Sequence, residues 1–443
     1  MINNLNALGN GAVLFLGALS FGTVTSYPSP AIMSLIEEKP QLGEERFKSA
    51  ISWFSNAPRL SAAIGPFLMI PILPRIGRKY ALSIVSFLLC ISWFLLFLID
   101  MKDEKNDVPF NIEYGVVVRT IMGLFWGTTS VLTITFIIET APSSSYGLFG
   151  SIYQLFIILG ICLTNILGAF VNWKILIIIN AIINLIFSIC LLVKEDSPVS
   201  QKLKVHKSHH KRYSPSKCFH CHLFRNIDES AKINGFGSNE SYVRTVISSM
   251  FILFFQQYCG INAILNNLSS IMTLSGLSMN SNLQSAMSTL AQLLACLIAS
   301  FLMDNIGPKI LWLASTAGCL ISLSVYAYCI FDYQTLMTVP RYIPVLAVFV
   351  YCLFFGLGQG PAPWAIFPGL FPDLLRYEGI CCMLFSHWFI SFVVCYTHPI
   401  ITEKVGEFYA ILVYIICSIG AIIYGIFFIP KKEIINPEDF TMF

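Results

Sequence analysis

The sequence predicts an all-α membrane protein of twelve transmembrane helices in two six-helix bundles, and three observations carry that prediction. Mean hydropathy is +0.72, with 12% of the 443 residues charged and 14% aromatic, a balance too apolar for a water-soluble fold in a chain too long for one core. The apolar residues fall in stretches of about 20, the length a helix needs to cross a bilayer. One long hydrophilic segment, Lys194 to Val243, divides the chain near its middle, as a surface linker between two bundles does.

In chain order the first six spans fall near 10–30, 48–72, 80–99, 113–137, 147–170 and 173–193. The second six fall near 245–272, 283–303, 310–332, 342–370, 379–402 and 407–429. The divisions are an N-terminal bundle over 1–193, a linker over 194–243, a C-terminal bundle over 244–430 and a tail over 431–443. Paired six-helix halves are the plan of a rocking transporter whose site lies between them. Met1 to Asn10 is short and uncharged, without the basic start of a cleavable signal, so span one reads as a retained signal-anchor. Span two carries Arg59 near its middle, where a charge costs about 2.5–3.5 kcal/mol even on the insertion scale. Arg59 therefore caps a backbone break at Pro58, pairs with a carboxylate, or lines a cavity and favours an anionic solute.

Basic residues orient the chain. With both termini in the cytoplasm, the inner segments hold Arg75, Arg78, Lys79, ten Lys/Arg from Lys194 to Arg244, Lys309, Arg376, Lys431 and Lys432. The outer segments hold fewer, several beside acids, which is the positive-inside pattern. Plasma membrane is the expected location. Twelve of the fourteen cysteines lie in spans, where they act as small apolar residues. Cys218 and Cys221 sit in the linker with His206, His209, His210, His220 and His222, which suits either a zinc site or a basic loop against the inner leaflet. No cofactor is expected. Nucleic acid is not an expected partner, because the basic residues crowd that loop; nor is an enzyme, because no nucleophile-base set or phosphate-cradling loop occurs. The sequons at Asn239 and Asn267 fall in the linker and within span seven, and should stay unmodified.

Span seven separates a solute carrier from an inert bundle. Between Gln256 and Asn262 it reads Gln-Gln-Tyr-Cys-Gly-Ile-Asn, three carboxamides in an otherwise apolar stretch. Burying an unpaired amide costs about 2–7 kcal/mol, so these side chains either face a wet cavity or a polar ligand, or glue one helix to another.

Those residues, extended to Ala263, resemble the Q-Q-x-S-G-I-N-A motif of sugar porters in the major facilitator superfamily, and Gly358-Gln359-Gly360-Pro361-Ala362-Pro363-Trp364 matches that family's G-x-G-P-x-P-W. Shorter matches run from Gly77-Arg78-Lys79 through Glu139-Thr140-Ala141-Pro142, Gly150-Ser151 with Gln154, and Asp196-Ser197-Pro198 to Phe371-Pro372 with Arg376. Tyr27-Pro28-Ser29-Pro30-Ala31, and Gln292 twelve residues before Asp304, resemble more specifically the insect facilitated trehalose transporters. The resemblance implies a sugar site built from Gln154, Gln256, Gln257, Asn262 and Gln292. A carboxamide offers two donors and an acceptor without a charge to desolvate, which suits a ring of hydroxyls. Trp364 would stack on the C–H face of the sugar. His387 stands where the family has Asn. Gly260 would let the segment beyond it bend as an outer gate, and Pro361 and Pro363 would hinge span ten.

The departures from the family also matter. Phe21-Gly22-Thr23-Val24 lacks the aspartate of proton-coupled porters, which favours downhill uniport. The cytoplasmic latch has lost several charges: Pro74, Tyr146 and Gly369 replace charged residues, and Asn305 to Lys309 lack arginines. Arg78, Glu139, Asp304 and Arg376 remain. A depleted latch implies a chain that rests more inward-facing than its relatives. The expected function is facilitative transport of trehalose or glucose. The alternatives are a non-transporting sensor that keeps the site, and a carrier of another organic solute.

Overall fold

The computed structural model describes residues 2–38, 45–103, 112–201, 239–266, 281–335, 339–340, 342–373 and 375–429, and every regular element among them is helical. The first half comprises α1 (Ile2–Ser26), α2 (Pro28–Glu38), α3 (Glu45–Met69), α4 (Leu73–Ile76), α5 (Arg78–Asp103), α6 (Ile112–Thr140), α7 (Tyr146–Leu167) and α8 (Trp173–Val193). The second comprises α9 (Asn239–Tyr258), α10 (Ile261–Asn266), α11 (Ser281–Ile306), α12 (Pro308–Thr335), α13 (Tyr342–Phe354), α14 (Ala362–Leu370), α15 (Arg376–Lys404) and α16 (Glu407–Phe428). The Cys/His segment, the Asn267 sequon and the tail lie outside the described residues. The Asn239 sequon opens α9.

Ten of these spans are long and apolar enough to cross a membrane alone or with their short continuations, and α1 with α2 makes an eleventh, bent by 42°. Pro28 and Pro30 follow that bend and interrupt the helical ladder. The twelfth is α3. Lys48, Asn56, Arg59 and four serines lower its hydropathy, but it lies lengthwise between α6 and α15 as the other spans do. Local signals set the ends. Asn172 caps α8, its side chain accepting from the Ile175 N–H at 3.1 Å, which satisfies one orphan donor of the first turn.

Small residues let the helices of the first half approach closely, the mode of association available where lipid removes the hydrophobic drive between helices. A β-carbon at Gly22 of α1 would overlap the Ile157 carbonyl of α7, and one at Gly160 would overlap the Leu19 carbonyl. Gly123 and Gly127, one turn apart on α6, lie likewise on Pro58 and Ala62 of α3. Polar clamps are interleaved: Ser20 donates to Asn184 at 2.7 Å and Ser26 to Asn165 at 2.9 Å. The two halves meet along α3 with α15 and along α7 with α11. The remaining interface, where α1, α9 and the α13–α14 segment converge, holds the cavity.

Gly160→Val inserts side-chain atoms where the α1 backbone already touches α7. It should destabilise the fold by about 1–3 kcal/mol, read as a lower melting temperature of the detergent-solubilised protein, whereas Ile186→Val on the outer face of α8 should leave it nearly unchanged.

Candidate functional site

Two interrupted helices frame the site. α9 ends at Tyr258, and Gly260 adopts φ 88°, a left-handed value that glycine takes without strain. α10 restarts at Ile261. The break leaves the Cys259 carbonyl without a helical partner, and Tyr351 Oη of α13 donates to it at 3.0 Å. α13 passes into a π-helical turn over Phe355–Gln359 before α14 begins. Ser315 of α12 staples that turn, donating to the Phe354 carbonyl at 2.6 Å and accepting from the Gln359 N–H at 2.8 Å.

Proline chemistry explains the next contact. Pro363 has no N–H for the Gln359 carbonyl one turn back, so this acceptor needs another donor. Gln256 supplies it. Its Nε2 donates to the Gln359 carbonyl at 2.9 Å and to the Gly360 carbonyl at 3.0 Å, so the amide nitrogen of Gln256 braces the α13–α14 break. Its oxygen accepts from Gln257 Nε2 at 3.3 Å.

The cavity is a cleft lined by residues of both halves. All seven residues expected to bind solute line it: Gln154, Gln256, Gln257, Asn262, Gln292, Trp364 and His387. A polar chain runs along one wall. Gln257 Nε2 lies 3.0 Å from His387 Nδ1, Gln257 Oε1 accepts from Asn262, and Asn262 Nδ2 donates to Ser391 Oγ at 3.0 Å. With the amide donating, His387 accepts at Nδ1 and carries its proton on Nε2. Aromatic rings pack beside that chain, with Trp388, Trp364 and Phe21 all against the His387 ring. Trp388 packs on Trp126 with centroids 4.2 Å apart and on Phe21 at 5.0 Å, and Trp364 meets Tyr153 at 5.4 Å. The buried polar atoms of lining residues that have no hydrogen-bond partner among the described residues include Gln292 Oε1, Trp364 Nε1 and Trp388 Nε1. One acceptor and two donors around one cavity are groups that a polyhydroxylated solute would satisfy.

The four surviving latch residues lie at one end of the bundle but do different work. Arg78 pairs with Glu139 at 2.7 Å, and Arg376 pairs with Asp373 at 2.9 Å while donating to the Pro368 carbonyl at 3.1 Å. Each arginine therefore pairs within its own half. Asp304 crosses between halves: Oδ2 accepts from the Leu148 N–H at 3.1 Å, capping the first turn of α7 from outside, where a carboxylate also complements the helix dipole. Tyr377 crosses too, its hydroxyl donating to the Pro66 carbonyl at 2.9 Å. Tyr146 packs against Gly369, so an aromatic contact occupies the place of two lost charges. In this structure hydrogen bonds and packing join the halves at this end in place of the missing ion pairs.

Sequence reasoning overlooked several of these groups. Ser315, Tyr351 and Tyr377 act through hydroxyls whose partners are distant in sequence. Glu378 was signalled only as an acid in the first turn of α15, yet it stands within electrostatic reach of Arg78 and Glu139 in the other half. Ser391 lies one helical turn beyond His387 and faces the cavity with it.

The family described as "Sugar (and other) transporter" matches residues 15–440. The chain is similar to a facilitated trehalose transporter of Bombyx mori, at 24% identity over 96% of this chain and 84% of the relative. It is similar to the sugar transporter ERD6-like 8 of Arabidopsis thaliana at 26% identity, covering 89% and 84%. Among solved structures, a proton:xylose symporter of the major facilitator superfamily bound to 6-bromo-6-deoxy-D-glucose superposes with a TM-score of 0.80 at 21% identity, covering 97% of each chain. A second transporter of that superfamily, FucP in the outward conformation, gives 0.64 at 11% identity, covering 94% of this chain and 98% of that one. The fold is that of the major facilitator superfamily.

Gln256→Leu leaves two buried carbonyls without their donor. It should cost about 1–3 kcal/mol in stability, measured by thermal denaturation in detergent. Tyr377→Phe removes one hydrogen bond that exists only while the latch end is shut. In an Ala365→Cys background it should raise thiol labelling from that end about two- to tenfold.

Proposed function

The chain belongs to the sugar (and other) transporter family, and on that premise we propose that it is a facilitative carrier of trehalose or glucose, working as a uniporter by alternating access between its two halves. The observation that carries this reading is the cavity between the halves, lined by neutral carboxamides and tryptophans, with no carboxylate among its described lining residues. Proton coupling asks for a membrane-embedded acid that loads and releases a proton. At the corresponding stretch of α1, Phe21 instead packs on Trp126, Tyr153 and Trp388.

In this reading Gln257, Asn262 and His387 hold sugar hydroxyls from the second half, Gln154 meets them from the first, and Gln292 and the two indole N–H groups complete the shell. Gln256 contributes its oxygen while its nitrogen braces the hinge. Trp364 covers the apolar face of the ring. The break at Gly260 makes α10 the outer gate, and Pro361 and Pro363 make the α13–α14 segment the inner hinge. Arg78, Glu139, Asp304 and Arg376 close the cytoplasmic end. The carrier works in the plasma membrane with both termini inside, its partners being the sugar and the bilayer. Its divisions are the bundles over 1–193 and 244–430, with the linker over 194–243 between them.

Radiolabelled trehalose and glucose uptake into oocytes tests this. With surface levels matched, uptake should be saturable and independent of sodium and pH, and Gln257→Ala and Trp364→Ala should each lower it at least about tenfold, as expected where a buried contact of 1.4 kcal/mol or more is lost. No uptake despite normal surface expression would favour a sensor.

A further inference from the structure

The amide hydrogens of span seven are all spent inside the protein. An amide nitrogen carries two of them. Gln256 Nε2 gives both to the Gln359 and Gly360 carbonyls. Gln257 Nε2 gives one to Gln256 Oε1 and one to His387 Nδ1, and Asn262 Nδ2 gives one to Gln257 Oε1 and one to Ser391 Oγ. What these three side chains still offer a solute is the remaining lone pairs of their oxygens. Towards a sugar they accept hydrogen bonds and donate none.

His387 has the opposite character. Its one acceptor, the lone pair of Nδ1, is taken by Gln257, so its proton sits on Nε2. Among the described residues none pairs with Nε2, and the residue borders the cavity. Around its ring stand Phe21, Trp388 and Trp364, with centroids 6.2, 4.9 and 5.6 Å away. Phenylalanine has no polar side-chain atom and an indole N–H only donates; both indole nitrogens are buried without a partner among the described residues. This corner of the cavity therefore donates.

The sugar porters carry Asn at this position, and the exchange changes what can be held there. An asparagine oxygen that accepted from Gln257 would keep a second lone pair beside its own N–H donors, and could take a hydroxyl in both directions. A histidine whose Nδ1 is occupied cannot. A hydroxyl set against Nε2–H accepts there, while its own hydrogen points among rings that offer no conventional acceptor. A glycosidic oxygen carries no hydrogen and leaves nothing unpaired.

Resting on the reading of the chain as a sugar carrier, we propose that His387 is the specificity-determining residue of the site and that it selects a glycosidic oxygen over a hydroxyl. The preferred solute is then a non-reducing sugar, a glycoside of a hexose, rather than the free hexose. A free hexose still binds through its hydroxyls on the α9 and α10 amides, and loses at the anomeric position. Of the two sugars in the reading above, trehalose, whose anomeric oxygen is shared by two rings, meets this requirement.

D-Glucose and methyl α-D-glucopyranoside share a ring and differ in whether the anomeric oxygen bears a hydrogen or a methyl group. Binding of each to the purified full chain is titrated by thermal shift, and uptake of each is measured after reconstitution into liposomes. Wild-type protein should half-saturate at a lower concentration of the glycoside than of glucose. His387→Asn should lower the glycoside-to-glucose affinity ratio about ten- to a hundredfold, a change that a general loosening of the site would not produce because both solutes would weaken together. If His387→Asn does not fold, His387→Gln, which also sets a lone pair beside an N–H, is measured in its place. Glycoside binding no tighter than glucose to the wild type, or an unchanged ratio in the variant, overturns the proposal, and glucose uptake in that case leaves the carrier reading standing. A preference that depends on His387 without uptake of either solute supports the selection and sinks the carrier reading. Binding of neither solute overturns both.

Discussion

Within a bilayer no water is at hand to satisfy a backbone carbonyl released from its helix, and each such group left unpaired costs several kcal/mol. The second half of this protein interrupts two helices at the level of its cavity, so its organisation turns on where the freed carbonyls find donors. Gln256 is the main answer. It stands on α9 just before the break at Gly260 and reaches the carbonyls that Pro363 and its surroundings release in the α13–α14 segment. One amide therefore ties together the two segments that have to bend. Tyr351 and Ser315 complete the set from the supporting helices.

The cavity wall follows from that brace. With Gln256 committed to the break, Gln257 is turned towards His387, Asn262 bridges back from the restarted helix to Gln257 and Ser391, and the row of side chains is held in one orientation. A row fixed by mutual hydrogen bonds needs little further ordering when solute enters, which lowers the cost of binding. Of the groups still unsatisfied, those on Gln292 and Trp364 sit on other elements, α11 and α14. A solute held by these groups would bridge α9, α11 and α14, the kind of coupling a rocking mechanism requires.

At the far end of the bundle the same economy of charge is visible. Arg78 and Arg376 have acids within their own halves, and buried ion pairs of this kind are weak evidence for stability because desolvation offsets their attraction. What joins the halves there is a carboxylate on a helix terminus and a tyrosine on a carbonyl. Water could replace either partner in both contacts if the halves parted.

Composition and the spacing of apolar runs were sufficient for twelve spans in two bundles, because crossing a bilayer sets a length and forbids unpaired backbone. They also marked the amides of span seven, because buried carboxamides are expensive and stand out against apolar neighbours, while the resemblance to the sugar porters pointed to the glycine and proline breaks and to the rest of the seven expected cavity residues. The residue types alone left open whether an amide faces solute or braces a helix, and only the fold decided it: the amide nitrogen of Gln256 braces. Arg59 stood in the sequence as a cost with three explanations, and the fold places it on the cavity while its Nη1 donates to the Ser55 carbonyl of its own helix. Nor did the loss of latch charges foretell how that end is joined, because Tyr377, Asp304 and the packing of Tyr146 act on partners far along the chain. Local chemistry dictates what a residue must satisfy, and the tertiary structure dictates which neighbour is near enough to satisfy it.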